Sequence, residues 1–229
     1  MGSEMCIRDR IIIEEGKAVG LSIESGSDSK EELTEKFDAI LSTTPSFVFP
    51  KLVPKMPKEY ENRLTTVQYM SAVLIILILD RPLTNVYWLN VADRSIPLVG
   101  LIEHTNMIDS SLYGAKHIVY LSNYLNIDHP LYQMDHKQLL AEYLPHIKKI
   151  TPDFDESWIV KTYYHKVGAA QPIIGVNYSE RIPGHRTPFE NLYLANTTQI
   201  YPEDRGTNYS VRMGRDVAKL LLKDDSSPD

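Results

Sequence analysis

The stretch Asn191 to Leu222, NLYLANTTQIYPEDRGTNYSVRMGRDVAKLLL, decides how the rest of the chain is read. Leu192-Tyr193-Leu194-Ala195 is a short apolar run of strand type, a polar loop follows, and Thr207 to Leu222 has helical spacing with Val211, Ala218 and Leu221 on one stripe. Arg205-Gly206-Thr207-Asn208 puts a flexible glycine and two capping-type residues where that helix starts. Unpaired N–H groups and the positive end of the dipole emerge there, so a phosphate or an electron-rich carbonyl edge is stabilised. Every helix has such an end, so the flanking sequence must say what this one is for.

Working outward, Ile11 to Glu14 and Lys17 to Glu24 are β-rich runs around Glu15-Gly16, a tight-turn signal for a hairpin. The polar stretch SGSDSKEELTEK leads to Phe37-Asp38-Ala39-Ile40-Leu41, a strand stopped by Ser42-Thr43-Thr44-Pro45. Lys58 to Tyr69 reads as helix. Strands at Met70 to Leu79, Asn85 to Val91 and Pro97 to His104 are spaced as an antiparallel meander, and His117 to Tyr124 adds another. From His136, Leu139, Leu140, Tyr143, Leu144 and Ile147 follow a helical period, with Pro145 placed to kink or shorten the helix. Trp158 to Tyr164 is strand-like, and Pro172, Pro183 and Pro188 punctuate an extended return toward Asn191.

Composition bounds the function. With 229 residues, 43% hydrophobic and 24% charged, the chain is globular. Its 24 basic and 30 acidic residues give a net charge of −6, so no basic field favours nucleic acid. The one cysteine, Cys6, excludes an intrachain disulfide framework and fits a cytoplasmic location. The longest apolar run, Ala72 to Leu79, is too short for a spanning helix, which leaves peripheral membrane contact open. The opening MGSEMCIRDR has neither an apolar signal core nor periodicity. It reads as a non-native leader over residues 1–10, similar to translated sequencing-adapter read-through, with the native protein expected to begin further upstream.

The C-terminal strand, loop and helix, with Gly206-Thr207-Asn208-Tyr209-Ser210-Val211-Arg212-Met213-Gly214-Arg215 at its centre, resembles the closing signature of the FAD-dependent amine oxidase, protoporphyrinogen oxidase and phytoene desaturase superfamily. Phe37 to Pro45 is similar to the strand by which that family leaves its FAD domain, and the Glu15-Gly16 hairpin resembles the β-meander before it. His104-Thr105-Asn106, the strand GAKHIVYLSNYL and the segment from Gln171 to Pro188 are similar to uncharacterised oxidoreductase-like members. The resemblance runs from about Ile11 to Leu222.

The resemblance implies an α+β fold: a substrate domain on a mixed, largely antiparallel sheet with helices, plus the C-terminal strand-helix piece of a truncated Rossmann-like FAD domain. The end of the FAD domain is expected over 11–46, the substrate domain over 47–187 and the returning piece over 188–229. It further implies that FAD is the cofactor, that Thr207 and Asn208 approach the flavin pyrimidine edge, that Gly206 permits this, and that Val211 packs beneath the ring. Arg205 and Thr44 flank that site. Asn196-Thr197 stands where the family often has Gly-Asp, replacing a carboxylate with hydrogen-bond donors near the ribityl and pyrophosphate region. Gly214 is expected to let the helix lie close to the sheet.

No two of the 11 glycines are two residues apart, so the family's strand-GxGxxG-helix is missing and FAD binding by this chain alone is expected to be weak or absent. The expected partners are a small-molecule substrate and a missing N-terminal FAD-domain segment. Hydride transfer from a small or isoprenoid-like organic substrate to FAD is the implied activity. A flavin-dependent isomerase or mutase without net redox, or a non-catalytic α+β binding module, are the alternatives. Tyr163 and His165, on a strand of the expected substrate domain, are candidates for substrate contact, with Tyr164 between them. His129 and His136 lack metal-ligand spacing, no GxSxG elbow is present, and Asp153, Asp155 and Glu156 read as a solvated loop. No catalytic residue is identified.

Overall fold

Glu15 and Gly16 both adopt positive φ, 48° and 84°, the backbone that a two-residue hairpin turn demands. In a computed structural model that describes residues 10–25 and 31–225, this turn joins β1 (Arg10–Glu14) to β2 (Lys17–Ser25) as an antiparallel pair. The leader, apart from Arg10, lies outside the described residues. A third strand, β3 (Glu31–Lys36), pairs with β2 from Gly20↔Lys36 to Ser25↔Glu31, although its sequence EELTEK is polar throughout except Leu33. Strand pairing decides its conformation, and a side chain at Gly20 would run into the Glu35 carbonyl.

The chain then forms β4 (Ile40–Ser42), shorter than the run from Phe37 implies, and two helices, α1 (Phe49–Leu52) and α2 (Lys58–Thr65). The next strands are β5 (Tyr69–Leu79), β6 (Trp88–Asn90), β7 (Gly100–Glu103) and β8 (His117–Leu125). Helices α3 (Pro130–Gln133) and α4 (His136–Ile150) precede β9 (Ile159–Pro172), which runs well past the expected end at Tyr164. The chain closes with β10 (Leu192–Leu194) and α5 (Thr207–Asp225).

Two compact units result, one from residues up to Gln68 and from Pro172 onward, the other from Tyr69–Gln171. The architecture is α+β and largely antiparallel. In the second unit, five strands lie in the order β6-β7-β8-β5-β9. This corrects the simple meander: β5 pairs with β8, not with β6, and the meander is β6-β7-β8. The reason is burial, because Val73, Ile75, Leu77 and Leu79 of β5 need the apolar partners Val119 and Leu121 of β8, whereas the exposed Trp88 suits β6 to an edge. Leu139, Tyr143 and Ile147 of α4 cover that face. The helix begins at a reciprocal capping box between Asp135 and Gln138 and continues through Pro145. Pro145 and Ala141 both face solvent, where water serves the carbonyl that proline leaves without a donor.

The first unit has its own core, in which Phe49, Leu52 and Leu64 pack with Ile40, Leu192 and Leu194. Here β4 and β10 run parallel, with Ile40↔Leu192 and Ser42↔Leu194 in register. Asn191, at φ 58°, turns the chain into β10 while its side chain donates to the Asp38 carbonyl at 2.7 Å. On α5 the buried face differs from the expected stripe. Val217 is fully buried, whereas Val211 is 52% exposed and Ala218 faces solvent.

Candidate functional site

Both parallel strands end at the same level, and polar residues crowd their ends: Ser42 closing β4 with Thr43, Thr44 and Ser46 after it, and Asn196, Thr197 and Thr198 after β10. A crevice outside the carboxyl ends of parallel strands is where open α/β sheets hold ligands. A cavity of about 360 Å³ lies there. Leu41, Thr43 and Pro45 form one wall, Ala195, Asn196 and Thr197 a second, and Ser210, Met213 and Gly214 of α5 the third.

Asn196 organises this crevice. Its Nδ2 donates to the Thr44 carbonyl at 2.9 Å and to Ser46 Oγ at 3.1 Å. Its Oδ1 accepts from the Thr198 N–H at 3.0 Å and the Thr198 hydroxyl at 2.7 Å. Asn196 N–H in turn donates to Gln199 Oε1 at 2.9 Å, closing a capping box. Ser46 and Thr198 are completely buried and their hydroxyls are 2.8 Å apart, and Tyr178 donates its hydroxyl to the Thr198 carbonyl at 2.7 Å. The Asn196 amide is thus committed to joining the two strand ends, and the exposed Thr197 next to it is the residue turned to the cavity. Thr44 contributes its carbonyl to Asn196 and its hydroxyl to Ser42 at 2.9 Å.

At the start of α5, the first helical bond runs from the Ser210 N–H to the Gly206 carbonyl at 2.9 Å. The N–H groups of Thr207, Asn208 and Tyr209 precede it and project from the helix end, and the first turn holds no acidic residue. A Cβ on Gly206 would lie 2.6 Å from Asn208 Oδ1, so the glycine allows Asn208 to fold back over it. Thr207, Asn208 and Val211 are exposed, and Arg205 is half-buried. Arg212 strips the loop of its freedom: it donates to Glu203 at 2.6 Å and lies 4.9 Å from the Tyr209 ring centroid. This hydrogen bond holds the Glu203 carboxyl below its ordinary range. The Cβ position of Gly214 meets open space, so this glycine widens the cavity instead of bringing helix and sheet together.

In the second unit, Tyr164 turns toward the core, where its hydroxyl donates to the Met134 carbonyl at 2.9 Å and its ring stacks on His136. Tyr163 and His165 alternate to the opposite face and are exposed, with Lys161 Nζ 4.7 Å from the Tyr163 ring centroid. That face carries a cross-strand row, Trp88, Ile102, Tyr120 and Ile76, in direct register over four strands. His104 closes the row, with Nε2 2.7 Å from the Tyr113 hydroxyl and its ring edge-on to Tyr120. The residue before it, Glu103, is a completely buried carboxylate that accepts from the N–H groups of Leu83 and Thr84. Sequence reading missed this apolar row, although the period-two alternation in β5 and β8 carries its signal. It also missed Ser46 and Thr198, whose pairing across 152 positions has no local sign.

Of the residues singled out in the sequence as cofactor contacts, Asn196 and Thr197 line this cavity, whereas Thr44, Arg205, Gly206, Thr207, Asn208 and Val211 are not part of its lining. The model of the family described as flavin containing amine oxidoreductase matches residues 7–222. The chain belongs to that family. Three solved structures show the same fold as this chain. An oxidoreductase from Methanosarcina mazei is 21% identical, with a TM-score of 0.65 over 92% of this chain and 48% of its own. Putrescine oxidase with bound putrescine is 10% identical, with a TM-score of 0.67 over 94% and 48%. Reduced UDP-galactopyranose mutase is 13% identical, with a TM-score of 0.56 over 76% and 36%. The chain therefore spans about half the length or less of these proteins. No curated protein sequence matches it. Among the described residues, no helix is long and apolar enough to cross a membrane, and no group of three or more His, Cys, Asp or Glu is placed to hold a metal ion.

Proposed function

We propose that this chain forms the substrate-binding and C-terminal flavin-contacting parts of an FAD-dependent oxidoreductase that oxidises a small or isoprenoid-like organic molecule. The observation that supports the reading is the crevice at the ends of β4 and β10, walled on its third side by Ser210, Met213 and Gly214 of α5. FAD, when bound, supplies a two-electron acceptor for a hydride. In this reading the N–H groups of Thr207 and Asn208 would hold the flavin and favour negative charge on it. Val211, Thr197, Arg205 and Thr44 would contact the cofactor, and Asn196 keeps the two strand ends in place. Residues 11–46 and 188–229 belong to the flavin side and 47–187 to the substrate side, with the compact 69–171 unit as its body.

Tyr163 and His165, beside the apolar row through Tyr120, orient the substrate. The diphosphate cradle comes from a segment not contained in these residues, which agrees with the half-length match to the solved structures and with the glycine spacing.

Gly206→Val in the flavin-loaded full-length protein tests the assignment. The added side chain displaces Asn208 from its place over Gly206, so flavin content and the rate of flavin reduction both fall. Unchanged content and rate would rule out the Thr207–Asn208 contact. Anaerobic product analysis with no added electron acceptor distinguishes oxidation, which stalls after one turnover of the oxidised flavin, from an isomerisation without net redox, which continues on pre-reduced flavin.

A further inference from the structure

A second cavity, about 200 Å³, lies elsewhere in the first unit, between the end of α2 and the segment that follows β9. Two guanidinium groups, Arg63 and Arg181, line it together with Thr66 and Gln68, and no acidic residue does. Such a lining is unusual on a chain with a net charge of −6. Arg181 is held in place by donating from Nη2 to the Val176 carbonyl at 2.7 Å, and it crosses Gly175 so closely that a Cβ there would lie 2.9 Å from Nη2. Arg63 donates one bond to Glu59 at 3.0 Å, whose side chain is 85% exposed and so binds it from the solvent side. Each guanidinium has five N–H donors in a rigid fork, so both keep several for a further acceptor. The floor is the buried Tyr178, whose hydroxyl is already committed to the Thr198 carbonyl.

Two like charges at the rim of one small cavity, one of them fixed by a glycine and a carbonyl, form a receptor for a doubly charged oxyanion. We propose that Arg63 and Arg181 bind a phosphoryl group, free or carried by a small molecule, at a site separate from the crevice at the ends of β4 and β10. The Ile173 N–H bonds the Gln68 carbonyl at 2.8 Å, so this cavity sits where the two segments that continue into residues 69–171 are tied together. An occupant there braces that tie.

The proposal is independent of flavin chemistry and is tested without it. Inorganic phosphate is titrated into the chain at constant ionic strength, following backbone amide and arginine Nε–H signals by NMR, with chloride as the control. Saturable shifts at Gly175 and at the Nε–H of Arg63 and Arg181 are expected with phosphate only. Arg181→Gln and, separately, Arg63→Gln should each weaken binding about tenfold, the effect of losing one charge-assisted contact. Linear shifts, equal shifts with chloride, or unaltered affinity in both variants would overturn the site. Both arginines are exposed, and if one variant misfolds by circular dichroism the other still decides.

Discussion

The five-stranded sheet and the two-stranded parallel pair obey opposite economies. In the sheet, β6, β7 and β8 follow one another along the chain, β5 and β8 match over nine registered pairs, and α4 seals one face with Leu139, Tyr143 and Ile147. The pair joins three residues of β4 to three of β10, from opposite flanks of the sequence, and a polar network follows both strand ends. Parallel strands are normally covered on both faces and supported by neighbours. The comparison teaches that the first region is held by contiguous strands under one helix, whereas the second is held by contacts between the two flanks of the chain, which set hydroxyls and an amide around a crevice.

Four measurements would break or sharpen that contrast. The largest effect is expected in the sheet, where Leu77→Ala removes a completely buried side chain and should lower unfolding free energy by about 3 kcal/mol in urea titrations. A loss below about 1 kcal/mol would mean the sheet is not the stable part. Next, Asn196→Ala strands the buried Thr198 N–H and the Thr44 carbonyl and leaves the Ser46 and Thr198 hydroxyls with only each other, at a cost of about 2 kcal/mol. If the polar network serves the crevice, the same variant of the full-length protein also loses flavin. Stability lost with flavin binding intact would confine Asn196 to a structural task.

The third concerns the anchor of α5. Arg186 grips Asp224 through two bonds of 2.8 and 2.6 Å, Tyr193 of β10 adds a third at 2.8 Å, and these hold the Asp224 carboxyl down at about 2. A carboxylate with a depressed folded value contributes fully above its unfolded value, 3.8, and loses that contribution as pH falls through about 2. Carboxyl NMR should therefore show Asp224 titrating near 2, and Arg186→Gln should move it upward toward 3.8. An unmoved titration would leave the Arg186 contact without electrostatic weight. The smallest effect belongs to Glu190→Gln: its pair with Lys17 at 3.0 Å is solvent-exposed on both sides, so the change should stay under about 0.5 kcal/mol by thermal unfolding.

Some elements were legible from local pattern. The Glu15-Gly16 turn, the Leu192–Leu194 strand, the helix from His136 and the helix from Thr207 all carry their own signals. Other elements do not. EELTEK becomes β3 because β2 offers it a ladder, and the partner of β5 is set by which apolar face needs covering. At the crevice, Gly206, Thr207 and Asn208 could be picked out from the chain, since a glycine before capping residues marks a helix start. The contribution of Ser46 could not, because a serine in a loop shows nothing of an asparagine 150 positions away.

The sequence by itself determined the class of fold, the helix start with its glycine, the acidic charge balance and the family resemblance, since all of these rest on composition, spacing and nearest neighbours. Only the tertiary structure decided that Asn196 is spent on Thr44 and Thr198 while Thr197 meets the cavity, that Gly214 opens space, and that Arg63 and Arg181 line the same hollow. The physical reason is that hydrogen-bond capacity and burial are shared among groups brought together by folding. Which donor remains free is therefore a property of the packed arrangement and not of any residue in it.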